Sequence, residues 1–355
     1  MPRLSACLLL ALLVAALPAS RSARAADTEP AEAAGFQLDF PLACGVGKDC
    51  WIIQYVDEGG GTDYNCGKRS YGGHNGTDIG IGTLANQAAT RVVAAAPGRV
   101  AGLRDDVPDA FYDPRQPGET AGKECGNGVR LDHGGGWMTT YCHMEHGSLT
   151  VRPGQMVAAG DVLGQVGLSG GTQFPHVHLG VYKDGKAVDP YTGLPPPTPA
   201  TPPAATTCGP RPGQLWSKRA AALVGYSPID IIATGFATRV PETAAVLEGK
   251  FAATTLAPDA AALVLWTMVD GGRAGDKVTL RLLAPEGAAL AEQTTTLEKD
   301  QMQILRAVGR RRQGERWPAG EYRGEVVVET AGTANAPAVE RRDGRVLTVT
   351  APQTP

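Results

Sequence analysis

A proline-rich segment near the middle of the chain constrains what the chain can fold into. Residues 194–206 read LPPPTPATPPAAT. Proline at this density excludes a helix or an inner strand, because each proline lacks an amide donor and has a fixed φ. The segment is expected to run extended as polyproline II. The sequence therefore predicts a linker at residues 194–207, with one domain at 26–193 and a second at 208–355.

Glycine and proline break both halves of the chain into short apolar runs. The 355 residues include 46 Gly and 27 Pro, with few aromatic residues, a balance that favours turns and short strands over long helices. Before the linker, runs such as RVVAAAPGRVAGL and HVHLGVY alternate without helical periodicity. We therefore predict an all-β protein, with a Gly-rich antiparallel β domain followed by a β-sandwich of immunoglobulin-like character. Arg104–Glu124 is expected to be a surface loop, and a short helix is possible near Ser217.

The N-terminus predicts export. Arg3 precedes the apolar stretch LSACLLLALLVAAL, and Ala23–Arg24–Ala25 resembles a signal-peptidase site. The stretch is too short to span a bilayer, so no transmembrane segment is expected and residues 1–25 are interpreted as a signal peptide. A formal charge of −3 gives no electrostatic reason to expect nucleic acid or an anionic membrane as a partner.

Six cysteines remain after residue 25, an even number that predicts disulfides formed in an oxidising compartment: Cys44, Cys50, Cys66, Cys125, Cys142 and Cys208. A zinc–cysteine site is the alternative, but no C-x-x-C pair supports it. With the hairpin turn centred between Gly134 and Gly135, Cys125 and Cys142 fall within one or two positions of being opposite, which predicts a bond between them. The other four cysteines allow three pairings.

All six histidines precede the linker, so chemistry that needs imidazole is confined to the first domain. In FPHVHLGVY, His176 and His178 point to the same face of a strand. Taken alone, this pair is equally consistent with two partly exposed histidines that have no function and with a metal-binding or catalytic site. Upstream, GGHNGTDIGIG supplies His74 and Asp78, and TTYCHM ends a predicted strand with His143. Imidazole and carboxylate are preferred zinc ligands, and a catalytic zinc usually takes three protein ligands.

These motifs, in this order, resemble those of the lysostaphin-type zinc endopeptidases, the M23 or LytM family of peptidoglycan hydrolases. HNGTD is similar to the family's H-x-G-x-D, and GNGVRLDHGGGWMTTYCHM, VRPGQMVAAGDVLGQVG and PHVHLGV are similar to its successive core motifs. The resemblance covers about residues 73–189. It implies a LytM-like β fold for the first domain and a bound Zn²⁺.

The resemblance also implies a role for each matching residue. His74, Asp78 and His178 correspond to the zinc ligands, and His143 and His176 to the two catalytic histidines. His133, in a hairpin turn, and His146, in a following loop, are interpreted as turn or solvated residues. The chain departs from the family pattern after H-x-H, where the usual acid is missing, and in the long insertion Arg104–Glu124, which is expected to form one wall of the groove.

The function implied is a zinc-dependent endopeptidase that cleaves peptide cross-links of peptidoglycan stem peptides, in the periplasm or after secretion. The alternative is a catalytically silent LytM-like module that binds the wall or activates an amidase. Such modules typically lack one or more of the five residues, and all five are present here. A cupin-type metal barrel also uses H-x-H but needs a glutamate soon after it, and LGVYKDGK has none.

Overall fold

The computed structural model describes residues 35–198, 207–251, 253–333 and 336–350. The predicted signal peptide and most of the proline-rich linker lie outside the described residues. Within the described ranges, no helix has both the length and the apolar character needed to cross a membrane.

Strands dominate both parts of the chain, which confirms the all-β fold. Up to residue 198 the described elements are two 3₁₀ helices at Leu84–Ala89 and Pro117–Thr120 and the strands β1 (Trp51–Gln54), β2 (Gly76–Gly80), β3 (Arg91–Val93), β4 (Gly98–Arg104), β5 (Asn127–Asp132), β6 (Trp137–Met144), β7 (Met156–Val157), β8 (Val162–Gln165), β9 (His176–Lys183) and β10 (Lys186–Ala187). From residue 207 onward they are α1 (Lys218–Ala221), β11 (Asp230–Ala237), α2 (Thr243–Leu247), β12 (Thr255–Leu256), β13 (Ala262–Gly272), β14 (Lys277–Leu283), β15 (Ala289–Thr296), β16 (Gln301–Arg311), β17 (Gly320–Thr330) and β18 (Val339–Val349).

The main sheet of the first part is antiparallel and has the order β1-β2-β9-β6-β5-β4-β7, with β10 added beside β9. Strands β3 and β8 form a separate two-stranded sheet. In β9, Val177, Leu179 and Val181 are almost completely buried in the hydrophobic core. Because side chains alternate along a strand, His176 and His178 lie on the opposite face.

The first hydrophobic core also contains residues that follow the linker. Leu215, Trp216 and Val224 are buried in the same cluster as Leu38, and Leu38 forms a parallel bridge with Trp216. Ser217 Oγ caps α1, the short helix expected there, by accepting a hydrogen bond from the Ala220 amide. Residues 208–224 therefore pack with the first sheet, although the sequence placed them in the second domain. The domain boundaries themselves stay predictions.

The second part contains two sheets that enclose their own core, which is the predicted sandwich. One has the order β11-β13-β16 and the other β12-β18-β17-β14-β15. Leu265 of β13, Ile304 of β16, Val278 of β14 and Val326 of β17 are all buried between them. Strand β15 is a largely exposed edge strand. The RDG segment at residues 342–344 contains an Asp-Gly pair, which favours a turn, but it lies in β18 and is paired with β17. A ladder of eleven residue pairs outweighs the local turn preference of Asp-Gly.

The described residues contain three disulfides, and the predicted Cys125–Cys142 bond is confirmed. The others join Cys44 to Cys50 and Cys66 to Cys208. The last of these links the first sheet region to the chain after the linker.

A buried arginine joins the first sheet to the sandwich. Arg69 lies before β2, and its five N–H groups have five acceptors: the carbonyl oxygens of Ile52, Ile53 and Ser227 and the carboxylates of Asp230 and Asp270. Its side chain and that of Asp270 are each only 2% exposed. Removal of one partner from such a network leaves an uncompensated buried charge, which is strongly destabilising.

An apolar cluster lies beside this arginine and spans the same interface. Trp51 and Ile53 of β1 pack with Trp266 and Met268 of β13. Phe174, two residues before β9, packs against the same cluster. The sandwich is thus in contact with the segment that leads into the H-x-H motif.

We predict that Asp270→Asn weakens the pH dependence of stability. Burial raises the pKa of Asp270 from its ordinary 3.8 to about 7; Arg69 lowers it, and Asp230 adds to the rise. Because the folded-state pKa lies above the unfolded one, the folded protein binds an extra proton between these values. The stabilisation is therefore complete below about pH 4 and is lost as the pH rises through 7. Asparagine cannot ionise but can still accept a hydrogen bond from Arg69.

Denaturant unfolding of the oxidised protein at pH 5 and pH 8 measures this effect. The free energy of unfolding of the wild type should fall by a few kcal/mol from pH 5 to pH 8, at about 1.4 kcal/mol for each pH unit up to the folded-state pKa. That of Asp270→Asn should fall less. Asp106→Asn, a change of the same kind at an exposed loop position, is the control and should behave as the wild type. Parallel pH profiles for all three proteins would contradict the prediction.

Candidate metal centre

The pairing of β2 with β9 brings the H-x-x-x-D and H-x-H motifs together. Asp78 lies directly opposite His178, and Gly80 lies opposite His176. Directly opposite residues of an antiparallel pair point to the same face. His74 lies in the turn that precedes β2, and its amide is fixed by a hydrogen bond to the Tyr71 carbonyl. A carboxylate and two imidazoles thus converge at one edge of the sheet face.

Three donor atoms lie close enough to share one ion. His178 Nδ1 is 2.8 Å from Asp78 Oδ1, His74 Nε2 is 3.1 Å from Asp78 Oδ2, and the two histidine nitrogens are 3.3 Å apart. Zinc–nitrogen and zinc–oxygen bonds of about 2.0–2.1 Å place neighbouring ligand atoms of a tetrahedral ion about 3.3 Å apart. Among the described residues, this is the one group of His, Cys, Asp and Glu with such spacing.

The orientation of His74 supports the same conclusion. Its Nδ1 lies 2.7 Å from the Tyr55 carbonyl oxygen, which can only accept, so Nδ1 carries the proton. In its neutral form, His74 directs the lone pair of Nε2 towards Asp78 and His178. Metal-bound histidines commonly donate their second N–H to a carbonyl or carboxylate in this way. The donor set and its spacing fit Zn²⁺.

The cluster is buried and strongly coupled electrostatically. Burial acts to raise the pKa of Asp78, but His176 and His74 outweigh it and hold the pKa well below its usual value. Asp78 is thus ionised, and its charge is available to a cation. The side chain of His178 is the most accessible of the three, at 14% exposed.

His176 is held from behind and faces the cluster. Its Nδ1 lies 2.9 Å from the Phe174 carbonyl and 3.1 Å from Thr172 Oγ1, and its ring stacks on that of Phe174. Its Nε2 points towards Asp78 Oδ1, at 3.5 Å. Phe174 therefore links this imidazole to the apolar cluster shared with the sandwich.

His143 occupies an irregular position in β6. The pairing of β5 with β6 contains a bulge, and His143 has a φ of +61°, which costs energy for a non-glycine residue. Its amide donates to the Cys125 carbonyl and its Nδ1 donates to the Ser169 carbonyl, at 2.8 Å each. The ring centroid is 4.7 Å from that of His176.

Burial is the main reason that the pKa of His143 falls to about 3, and the nearby His176 and His178 lower it further. His143 is therefore neutral at physiological pH. With the proton on Nδ1, its Nε2 is a free acceptor beside the other histidines.

The structure brings together all five residues singled out from the sequence and places the other two histidines elsewhere. His133 bonds through its ring to the Pro97 carbonyl and the Thr139 hydroxyl. His146 is exposed, and its amide is held by Asp109 of the insertion. The supporting residues Ser169 and Thr172 were missed; the Gly-rich run LSGGT that contains them is their one signal in the sequence.

Tyr71 was also missed. It is 52% exposed, and its ring packs at 4.7 Å from that of His74. Partial burial, together with the charge of Asp78, raises the pKa of its phenol to about 12. Its position three residues before His74 was the available signal.

We predict that Gly76→Ala weakens metal binding. A Cβ at Gly76 would overlap the imidazole of His178 and press on the Leu179 carbonyl, so the ring must move away from Asp78. Gly72→Ala is the matched control, because a Cβ there meets no atom within 4 Å. Zn²⁺ titration should show at least about tenfold weaker binding for Gly76→Ala and unchanged binding for Gly72→Ala. Equal affinities would show that Gly76 does not set the position of His178.

Comparison with known proteins shows which family this region resembles. Residues 72–190, which contain all five clustered residues, match the model of peptidase family M23. Solved structures with similarity include the catalytic domain of the prophage-encoded M23 protein EnpA from Enterococcus faecalis, with 26% identity over 39% of this chain and 86% of that chain and a TM-score of 0.26. The deep-sea M23 metalloprotease pseudoalterin shows 21% identity over 44% and 76%, with a TM-score of 0.28.

The SpoIIQ–SpoIIIAH pore-forming complex is a further match, at 18% identity over 48% of this chain and 99% of that chain, with a TM-score of 0.32. Scores this low carry no argument, so the assignment rests on the family model. Residues 72–190 therefore match peptidase family M23, which confirms the resemblance found in the sequence motifs.

Proposed function

We propose that the chain is an exported zinc-dependent endopeptidase that cleaves the peptide cross-links of peptidoglycan. The observation that carries this proposal is the convergence of His74 Nε2, the Asp78 carboxylate and His178 Nδ1 within the M23 region. His143 and His176 lie beside them on the same face. The three disulfides fit a chain that folds in an oxidising compartment such as the periplasm.

His74, Asp78 and His178 are proposed to hold the ion. Bound Zn²⁺ supplies a Lewis acid that polarises a carbonyl and lowers the pKa of a bound water to about 7. The carboxylate neutralises half of the ion's charge, and the hydrogen bond from His74 to the Tyr55 carbonyl fixes the tautomer that binding requires.

The two remaining histidines are proposed to move protons. His143 is neutral and its Nε2 is free, so it can accept a proton from the attacking water while the Ser169 carbonyl keeps its ring in place. His176, with Nδ1 directed at the Phe174 carbonyl, can in its protonated form donate from Nε2 to the substrate carbonyl oxygen as that oxygen gains negative charge.

The proposed organisation keeps the boundaries predicted from the sequence: residues 26–193 are the peptidase domain, 194–207 the linker and 208–355 the part that contains the sandwich, whose ligand is unassigned. Within that last part, residues 208–224 pack with the first sheet. Digestion of purified sacculi, with released muropeptides identified by mass spectrometry, tests the function. Cross-link cleavage supports it. A silent wall-binding module would bind the sacculi and release nothing.

We predict that His74→Ala loses both the metal and the activity. The substitution removes one of three ligands from a buried site, so elemental analysis should find little zinc and the sacculus digest should yield no cleaved cross-links. His146→Ala removes an exposed histidine whose ring makes no contact with the cluster, and it should keep both properties. Full zinc occupancy in His74→Ala would falsify the ligand assignment.

His143→Ala and His176→Ala should behave differently from the ligand variant. Each should keep zinc but lose about 10²- to 10⁴-fold in the rate of cross-link cleavage, because each removes a proton-transfer group rather than a ligand. Zinc content and initial rates are measured on the same preparation. If either variant loses zinc as completely as His74→Ala, that residue has been assigned the wrong role.

A further inference from the structure

The sheet face that carries the metal-centre residues continues across β6, β5 and β4. His178 lies opposite Cys142 on β6, and Gly180 lies opposite Thr140. Thr140 lies opposite Arg130 on β5, and Arg130 lies opposite Gly102 on β4. Directly opposite residues share a face, so Arg130 projects on the same side of the sheet as His178.

A shallow groove of about 350 Å³ lies on this extension of the face, beside the Cys125–Cys142 disulfide. Its lining includes Gly102, Arg104, Cys125, Gly128, Arg130 and Thr140. Small residues form much of the lining, and the space at Gly102 is open, because a Cβ there would meet no atom within 4 Å. The groove can therefore accommodate part of an extended peptide.

Two arginines are the charged residues of this groove. Arg130 is exposed and makes no ion pair or hydrogen bond through its side chain within the described part of the chain. Its cross-strand neighbours, Gly102 and Thr140, are small and uncharged. By contrast, Arg99 on the same face is paired with Asp132 at 3.4 Å. The guanidinium of Arg130 is thus available to a ligand.

Arg104 lies two residues along β4 from Gly102, the cross-strand neighbour of Arg130, in the direction of the row that carries the metal-centre residues. It is opposite Gly128 on the same face as Arg130. Backbone hydrogen bonds from Glu124 and Gly122 are the main reason that the pKa of the Glu124 carboxyl is lowered, and the charge of Arg104 lowers it further. The positive charge of Arg104 is therefore partly offset by Glu124. Arg130 is therefore the stronger candidate for binding an anion.

We propose that Arg130, assisted by Arg104, binds a carboxylate of the substrate peptide and makes this groove an acidic-residue subsite. This inference rests on the proposed function, which it extends to a substrate feature. Strands lie about 4.8 Å apart, so β5 is about 10 Å from β9, which corresponds to about three residues of an extended peptide. A guanidinium can bind a carboxylate through two parallel N–H···O bonds and would discriminate against the corresponding carboxamide.

Two cross-linked muropeptides test the proposal, one with a free side carboxylate about three residues from the scissile bond and one with that carboxylate amidated. Arg130→Gln should lower kcat/KM for the carboxylate form by about 10- to 100-fold and leave the amidated form nearly unchanged. Arg130→Lys should be intermediate, because it keeps the charge but not the two-bond geometry. Arg91→Gln, the same change at an exposed site on β3, should match the wild type.

A second variant tests the groove itself. Gly102→Phe should fold normally, because its side chain enters open space. It should nevertheless lower kcat/KM for both muropeptides, because the phenyl ring obstructs the groove. Equal loss on the two substrates in Arg130→Gln, or no preference for the carboxylate in the wild type, would overturn the subsite.

Binding of both muropeptides to the full-length His143→Ala protein, measured by calorimetry with and without Arg130→Gln, separates this inference from the proposed function. If the zinc-loaded wild type cleaves neither muropeptide but binding still depends on Arg130 and the carboxylate, the endopeptidase function fails and the subsite stands. If cleavage occurs and binding is independent of Arg130, the function stands and the subsite fails.

Discussion

The antiparallel register of β9 between β2 and β6 is the constraint on which the rest of the structure depends. Asp78 faces His178 across one ladder, and Cys142 faces His178 across the other. Because side chains alternate with a period of two, a slip of one residue would turn both histidines of H-x-H into the core and bring Val177 out. Val177 and Leu179 are almost completely buried, so the hydrophobic core itself fixes the register and with it the positions of the donor atoms.

How far the sequence predicts this structure depends on the range of the interactions. The alternation of apolar residues and the hairpin turn are local, and they were sufficient for the all-β fold and the Cys125–Cys142 bond. The grouping of the five residues was instead implied by the resemblance of their motifs to a known family. The contacts of Arg69 with Asp230 and Asp270 span 161 and 201 residues, and no local pattern marks them. At residues 342–344, similarly, the pairing of β18 with β17 outweighs the local turn preference of Asp343–Gly344.

The sandwich is more closely connected to the metal centre than a proline-rich linker suggests. Arg69 donates hydrogen bonds to the carbonyl groups of Ile52 and Ile53, so β1 is bonded to a side chain that is itself anchored in the sandwich. Since β1 pairs with β2, this anchor lies one strand away from Asp78. Phe174 provides a second connection, because it packs on the shared apolar cluster and stacks on His176. The sandwich therefore supports the strand edge and the imidazole together.

The local geometry at His143 shows how the fold maintains a conformation that the backbone alone disfavours. A positive φ at a non-glycine residue costs about 1–2 kcal/mol. This cost is offset by two backbone hydrogen bonds, from the His143 amide to Cys125 and from the Gly167 amide to His143, and by the adjoining Cys125–Cys142 disulfide. Without the bulge, His143 would follow the strand alternation and point away from the face of Cys142 and His178. The irregularity in β6 therefore adds the neutral imidazole of His143 to the face that carries His176 and His178, where a regular ladder would not place it.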